Sequence, residues 1–234
     1  MAARPVPAAT RTEANNRRVA TPAVYGCRVG PSTVQPVRRF LLVRHGESEW
    51  NAVGRWQGQA DPPLSRNGQE QAYLASQRIG MVDAIVASTL HRAFDTARII
   101  SENIGVGPVF VEPDLMERHA GEWEGLTRHE IEDAWPGYLD AQRRPPGYEL
   151  DEVLLERVHA GLARIRVEVP GDDILVVTHG GVISALESSF GLEWVRVPNL
   201  GARWFTWDGA KFHLGERIGL VDDAHTTVQP RGQL

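Results

Sequence analysis

Five ionisable side chains each follow a stretch of chain that has the pattern of a buried β-strand. They are Arg44, His45, Arg92, Glu117 and His179. A neutral imidazole is a competent nucleophile near neutral pH, and a phosphohistidine is a covalent route for phosphoryl transfer. A guanidinium matches phosphate oxygens with a planar fork of donors, and a carboxyl group can protonate a leaving alkoxide. Together these residue types predict phosphoryl-transfer chemistry, with a histidine as the nucleophile and Glu117 as the acid.

The elements that must position these side chains alternate between strands and helices. Continuous apolar runs predict buried strands at 40–43, 84–87, 109–111 and 174–177. Amphipathic spacing predicts helices from Ser65 to Gly80, over 90–100, from the capping box at Thr127 to about Pro136, over 154–165 and over 182–190. Asp208-Gly209, between the aromatic-rich runs 202–207 and 210–214, predicts a hairpin. This order predicts a layered α/β domain with a mostly parallel sheet and a C-terminal hairpin.

Ligands of open α/β sheets bind beyond the carboxyl ends of the strands, so the five side chains are expected at one edge of the sheet. Two guanidiniums near one spot repel each other unless an anion lies between them. Helix N-termini after Ser88 and Gly180 add backbone N–H donors, and Gly46 allows a close backbone approach. Each feature alone is common, since a lone core histidine is usually structural. Their joint placement predicts a pocket for a phosphoryl dianion.

The composition excludes several classes of function. The chain has 234 residues, 42% of them hydrophobic and 24% charged, which is the balance of a globular domain. A formal net charge of −5 argues against nucleic-acid binding, whose affinity comes mainly from neutralised phosphates. No apolar run is long enough to span a bilayer. The single cysteine, Cys27, allows no intrachain disulfide, which favours a reducing compartment, and we expect a cytoplasmic protein without a membrane partner.

The two ends of the chain differ from its middle. The first 39 residues hold seven arginines and one acidic residue, Glu13, without the apolar core of a signal peptide. Such a composition marks either a transit peptide or a disordered tail, and we favour the tail. We therefore expect a disordered segment at 1–36, one catalytic domain at 37–222 and a C-terminal tail at 223–234.

The ordered motifs resemble those of the histidine phosphatase superfamily, which includes the cofactor-dependent phosphoglycerate mutases. The resemblance covers the chain from Leu41 to about Trp207. It rests on four motifs: Leu-Val-Arg-His-Gly-Glu-Ser-Glu-Trp-Asn at 42–51 with the loop 58–65, Ser-Thr-Leu-His-Arg-Ala-Phe-Asp-Thr-Ala at 88–97, Glu117 with Gly-Glu-Trp-Glu-Gly at 121–125, and Thr-His-Gly-Gly at 178–181. The resemblance implies a three-layer α/β/α sandwich of the phosphoglycerate mutase-like type.

The resemblance also implies a role for each site residue. His45 would be phosphorylated transiently and Glu117 would be the proton donor. Phosphoryl oxygens would be bound by Arg44, Arg92, His179 and Asn51, and we expect further substrate contacts from Gln57, Gly58 and Gly180. The resemblance also implies that no metal is needed, and this sequence has no paired metal-ligand spacing, so we expect no cofactor.

Three functions remain open at the level of sequence. A phosphomonoesterase of the histidine acid phosphatase type is favoured because the segment from Glu117 to His179 is short, which suggests a site open to water. A cofactor-dependent phosphoglycerate mutase is the alternative, and Arg143-Arg144 would then clamp a substrate carboxylate, although a solvated loop pair is the simpler interpretation. A non-catalytic module that binds phosphorylated ligands is the third possibility. The expected partner is a small phosphorylated metabolite, and formation of a homodimer is left open.

Four aromatic side chains near the motifs have two interpretations. They either line an apolar wall for the substrate or take part in ordinary packing, and they are Trp50, Trp56, Trp123 and Tyr148.

Overall fold

The computed structural model describes residues 37–222 together with residues 2, 225 and 226. Its sheet has six strands in the order β3-β2-β4-β1-β5-β6. The strands are β1 (Arg38–Arg44), β2 (Ala84–Ala87), β3 (Val109–Val111), β4 (Asp173–Thr178), β5 (Gly201–Trp207) and β6 (Phe212–Gly219). The first four strands pair in parallel, and the last two add an antiparallel edge. The mostly parallel sheet is therefore confirmed.

The described residues form six α-helices. They are α1 (Glu49–Val53), α2 (Arg66–Ser76), α3 (His91–Ile104), α4 (Arg128–Ala134), α5 (Asp151–Glu168) and α6 (Gly180–Ser189). The capping box at the start of α4 is present, since Thr127 Oγ1 accepts from the Glu130 amide and the Glu130 side chain accepts from the Thr127 amide. Among the described residues, no helix has the length and apolar character needed to cross a membrane.

The side chains of the central strands alternate between the two faces of the sheet, which explains why helices cover it on both sides. One face of the sheet packs in a core with α5 and α6 through Phe40, Leu42, Ile174 and Val176. The opposite face packs in a second core with α2 and α3 through Leu41, Val43, Leu175 and Val177. Successive strand side chains point to opposite faces, so a continuous apolar strand must be covered on both sides. The predicted three-layer α/β/α sandwich is confirmed.

Two element boundaries differ from expectation. Helix α2 ends at Ser76, before Gly80, because the amides of Gln77 and Arg78 donate to the carbonyls of Leu74 and Ala75 in tighter turns. The second hairpin strand begins at Phe212 and not at Ala210. The Asp208 carboxylate accepts hydrogen bonds from the amides of Ala210 and Lys211, which keeps these two residues in the turn.

The predicted tails, 1–36 and 223–234, lie outside the described residues apart from residues 2, 225 and 226. The carbonyl of His225 accepts a hydrogen bond from Gln71 Nε2 at 2.7 Å.

Candidate active site

The two histidines meet because their strands are neighbours. Arg44 is the last residue of β1 and lies opposite Thr178, the last residue of β4, so His45 and His179 leave the sheet side by side. Their ring centroids are 5.2 Å apart, and both rings are buried. The predicted convergence at the carboxyl edge of the sheet therefore has a direct cause in the parallel pairing of β1 and β4.

The ring of His45 is held in one orientation. Its Nδ1 lies 2.6 Å from the carbonyl oxygen of Gly46, and a carbonyl oxygen can only accept, so Nδ1 carries the proton. Its Nε2 then has a free lone pair, which accepts from Nε of Arg92 at 3.2 Å. Burial, followed by the charges of Arg92 and Arg44, holds the pKa of His45 well below its usual value of 6.5. His45 is thus a neutral imidazole whose Nε2 is available as a nucleophile.

Arg92 joins helix α3 to the loop that follows α1. It lies in the first turn of α3, is fully buried, and donates to the carbonyls of Gly58 at 2.8 Å and Ala60 at 2.7 Å. The carboxylate of Asp61, in the same loop, accepts from the amide of His91 at the start of the helix. Burial lowers the pKa of Arg92 to about 10, so the group remains charged at neutral pH.

Arg44 and His179 keep polar atoms without partners among the described residues. Arg44 donates from Nη1 to the carbonyl of Val197 at 2.7 Å, while its buried Nε has no acceptor. Burial and the nearby Arg196 lower the pKa of Arg44 to about 10. His179 contacts Ser88 Oγ through Nε2 at 2.8 Å, and its Nδ1 is unpaired. Burial and the positive charge of Arg92 hold the pKa of His179 well below 6.5.

The carboxylate of Glu117 is oriented by backbone amides. One oxygen accepts from the amide of Arg118 at 2.8 Å and the other from Gly181 at 3.1 Å. A Cβ at Gly181 would overlap the carboxylate, so the glycine is needed for this approach. The Glu117 carbonyl is bound by Arg157, which also forms an ion pair with Glu149 at 2.7 Å. This backbone support fixes Glu117 at the edge of the cleft.

Asn51 is fixed by helix α1, which the sequence analysis did not predict. Ser48 and Asn51 form a reciprocal cap at the start of this five-residue helix. Oδ1 of Asn51 accepts from the Ser48 amide at 3.2 Å and from Nδ2 of Asn199 at 3.3 Å, so its amide nitrogen remains a donor. Gln57 accepts from Ser48 Oγ at 2.7 Å through Oε1.

Most of the predicted site residues line one cleft that opens to solvent, the inner cleft. These are Arg44, His45, Asn51, Gln57, Gly58, Arg92 and Glu117. His179 lies behind His45, and Gly180 packs against Arg44, where a Cβ would lie 3.4 Å from its Nε. Trp56 and Tyr148 also line the cleft, whereas Trp123 is fully buried and belongs to a small core. In the described part of the chain, no three His, Cys, Asp or Glu side chains are placed to hold a metal ion.

This arrangement has a counterpart among known proteins. Residues 40–214 match the family model of the histidine phosphatase superfamily (branch 1). The chain belongs to this superfamily. The family membership that the motifs predict is therefore confirmed.

Three proteins that are similar to this chain carry three different names. A metal-independent phosphoserine phosphatase of Arabidopsis thaliana is 37% identical over 160 residues, which cover 64% of this chain and 67% of that protein. Phosphoglycerate mutase-like protein 4 of the same plant is 36% identical over 157 residues, covering 63% and 68%. The solved structure of a mycobacterial glucosyl-3-phosphoglycerate phosphatase with VO3 superposes with a TM-score of 0.68 at 30% identity, covering 76% of this chain and 98% of that one.

The sequence analysis missed several residues that support the candidate site. Asn199 donates to the carbonyl of His45 at 2.9 Å as well as to Asn51. Ser88 contacts His179, and Thr96 accepts from the amide of Gly46 at 3.0 Å. Ser88 and Thr96 lie inside the motif at 88–97, so the sequence offered a signal that both residues belong to the site. Asn199 lies in an irregular segment before β5, where the sequence gives no comparable sign.

Proposed function

We propose that the protein hydrolyses phosphomonoesters through a phosphohistidine intermediate on His45. The observation that carries this proposal is the ring of His45, with Nδ1 bonded to the Gly46 carbonyl and the lone pair of Nε2 directed at buried Arg92. A neutral, oriented imidazole beside fixed positive charge suits attack on a phosphoryl dianion.

The first step transfers the phosphoryl group to the protein. Nε2 of His45 forms a bond to phosphorus while the bond from phosphorus to the ester oxygen breaks. Protonated Glu117 delivers its proton to the leaving oxygen, so an alcohol departs and a carboxylate remains. Arg44, Arg92, His179 and Asn51 stabilise the charge on the phosphoryl oxygens with donors that are already in place.

The second step returns the protein to its initial state. The carboxylate of Glu117 takes a proton from a water molecule, whose oxygen attacks phosphorus as the bond to His45 Nε2 breaks. Inorganic phosphate is released, and His45 and protonated Glu117 are regenerated. Gln57, Gly58 and Gly180 complete the wall around the phosphoryl group.

The structure favours hydrolysis over intramolecular transfer. A second cleft, the outer cleft, shares Arg118, Tyr148 and Gly181 with the inner one. We expect the attacking water to enter the phosphoryl site through this opening. Arg143 is stacked on Tyr138, with its guanidinium carbon 4.0 Å from the ring centroid, and lines neither cleft, whereas Arg144 lines the outer cleft only, so the pair does not close over the inner cleft. The expected substrate is a small phosphorylated metabolite.

A kinetic experiment with the full chain tests the proposal. We expect hydrolysis of p-nitrophenyl phosphate at mildly acid pH and complete loss in His45→Ala, whereas His129→Ala, a change at an exposed histidine, serves as the control. Glu117→Gln should reduce hydrolysis of alkyl phosphates by about 10²–10⁴ and that of p-nitrophenyl phosphate less, because nitrophenolate leaves without a proton. Quenching in alkaline detergent, which preserves the acid-labile phosphohistidine, should trap the label of a phosphorus-labelled substrate on His45.

Two outcomes would contradict hydrolysis. Absence of turnover on every phosphomonoester, with retained phosphate binding, would favour a non-catalytic module. Formation of 2-phosphoglycerate from 3-phosphoglycerate, dependent on a bisphosphoglycerate primer, would favour a mutase.

A further inference from the structure

The loop that carries Glu117 is held by side chains from two distant elements. Residues 114–119, here called the Glu117 loop, lie in neither an α-helix nor a strand. Backbone carbonyls that leave water need donors, and four consecutive carbonyls of this loop accept from side chains. Thr178 Oγ1, at the end of β4, donates to one of them, the carbonyl of Leu115, at 2.8 Å. Arg157 donates to the other three at 2.7–3.0 Å, and these belong to Asp114, Met116 and Glu117.

Arg157, on helix α5, uses all five of its N–H donors. Besides the three carbonyls, it donates to both carboxylate oxygens of Glu149, at 2.7 and 2.8 Å. Burial raises the pKa of Glu149, but the hydrogen bonds and the charge of Arg157 lower it by more, so this pKa lies below its ordinary value. The two side chains are only 16% and 11% exposed. The pair is therefore ionised, and it gives the loop a fixed and electrically balanced anchor on α5.

Glu149 connects this anchor to the far end of the Glu117 loop. Its Oε2 accepts from the amide of His119 at 3.1 Å, and its own amide donates to the His119 carbonyl at 3.0 Å. Its carbonyl accepts from Nη1 of Arg118 at 2.7 Å. The backbone is thus held on both sides of Glu117. The Glu117 carboxylate accepts from two main-chain amides, so its position follows the backbone of the loop.

We propose that Arg157 is a positioning residue, which holds the Glu117 loop so that the carboxyl group of Glu117 reaches the leaving oxygen of the substrate. This inference rests on the proposed hydrolysis through His45 and Glu117. Arg157 lies outside the inner and outer clefts as the described residues define them, so it acts through Glu117 and not on the substrate. A displacement of about 1 Å at a reacting group can cost about 10²-fold in rate.

The shape of the guanidinium explains why an arginine is needed at this position. Its planar fork directs five donors at once, whereas a lysine ammonium has three donors on a single atom. Arg157→Lys therefore keeps the charge opposite Glu149 and loses part of the support of the loop. Alanine would instead leave a buried carboxylate without a partner, which destabilises the fold strongly. Lysine is for this reason the variant to test.

Arg164 provides a matched control on the same helix, about two turns after Arg157. It donates to the carboxylates of Glu112 and Asp114, so it contacts the same region through side chains. Arg164→Lys makes the same chemical change as Arg157→Lys. It leaves the hydrogen bond to the carbonyl of Glu117 in place.

The test compares two aryl phosphates that differ in their need for a proton. Nitrophenolate leaves without one, whereas the phenol of phenyl phosphate resembles a tyrosine side chain, whose pKa is about 10, and needs the acid. We measure kcat/KM for both esters with the full chain. In Arg157→Lys it should fall by about 10–10²-fold for phenyl phosphate and by less than about threefold for p-nitrophenyl phosphate. Inhibition by inorganic phosphate should stay unchanged, because the phosphoryl site is intact.

The other variants make this result specific. Glu117→Gln calibrates the assay, since it should show the same selective loss to a greater degree. Arg164→Lys should leave the ratio of the two kcat/KM values unchanged. An unchanged ratio in Arg157→Lys, or an equal loss on both esters with weakened phosphate inhibition, would overturn the inference. Thermal melts set the assay temperature well below the unfolding transition of every variant.

Amide hydrogen exchange gives a second measurement that does not depend on turnover. The amides of Arg118 and Gly181 donate to the Glu117 carboxylate, so both should exchange about tenfold faster in Arg157→Lys and at the native rate in Arg164→Lys. Unchanged exchange at both amides would contradict the positioning role. Failure of the proposed function would appear separately, as absent hydrolysis or as hydrolysis that survives His45→Ala, while exchange would still show whether Arg157 positions Glu117.

Discussion

At the scale of single residues, the reactivity of His45 is set by groups that hold its backbone as well as its ring. Asn199 is buried and donates to the His45 carbonyl at 2.9 Å and to Asn51 Oδ1 at 3.3 Å. One amide group thus fixes the backbone of the proposed nucleophile and determines which end of the Asn51 amide faces the cleft. Positioning of this kind affects rate because small misplacements at a reacting centre are costly.

We therefore predict that Asn199→Ala lowers kcat/KM for p-nitrophenyl phosphate by about 10–10²-fold and weakens inhibition by inorganic phosphate. Asn103→Ala, which removes an exposed helix asparagine, is the matched control. Assays well below the melting temperature separate loss of positioning from loss of folding. Equal activities of the two variants would show that the Asn199 contacts do not position the site.

At the scale of elements, helix α2 supports the loop that follows His45. The Glu47 amide donates to the side chain of Gln71, and the Glu47 carboxylate accepts from Ser65 Oγ at 2.6 Å and from Asn67. Gly68 brings the helix against this loop, since a Cβ there would overlap the carbonyl of Glu47. The close approach of two backbones replaces side-chain packing at this point.

Alanine at Gly68 should therefore destabilise the protein, although alanine is ordinarily better than glycine in a helix by about 1 kcal/mol. The overlap with backbone atoms of the Glu47 segment outweighs that gain, so Gly68→Ala should lower both the melting temperature and the activity. Gly80→Ala is the control, because a Cβ at Gly80 meets nothing within 4 Å among the described residues. A Gly68→Ala protein as stable and active as Gly80→Ala would show that the two segments can separate freely.

At the scale of the whole molecule, the site makes stability depend on pH. His45 and His179 are buried with pKa values well below 6.5, chiefly because of burial and then because of nearby arginines. As pH falls below 6.5, the unfolded chain takes up a proton at each histidine while the folded chain does not. Stability is therefore complete above this pH and decreases as pH falls towards the depressed values.

The free energy of unfolding should decrease by about 2.7 kcal/mol per pH unit in the weakly acid range, about 1.4 for each histidine. Denaturant titrations between about pH 6 and pH 5 measure this slope. His179→Gln removes one titrating group, so the slope should fall by about half. A slope that is flat in the native chain, or unchanged in His179→Gln, would contradict two buried neutral histidines.

The sequence by itself determined the architecture and the types of residue at the candidate site. Runs such as 40–43 and 174–177 are apolar throughout, and such runs are stable only when buried on both faces of a sheet. The capping box at Thr127 and the Asp208-Gly209 turn act over a few residues, so their outcomes follow from local sequence. The sequence analysis missed the short helix α1, because this helix depends on a Ser48–Asn51 cap, a local pattern that also occurs in loops.

Only the tertiary structure decided which distant residues complete the site. Asn199 contacts His45 across 154 positions of sequence, and Arg157 reaches the carbonyl of Glu117 only because helix α5 packs against the segment that follows β3. The tautomer of His45 and the ion pair of Arg157 with Glu149 also depend on burial and on neighbours from several elements. Desolvation and hydrogen-bond geometry belong to the packed molecule, whereas residue type and local pattern are already present in the chain.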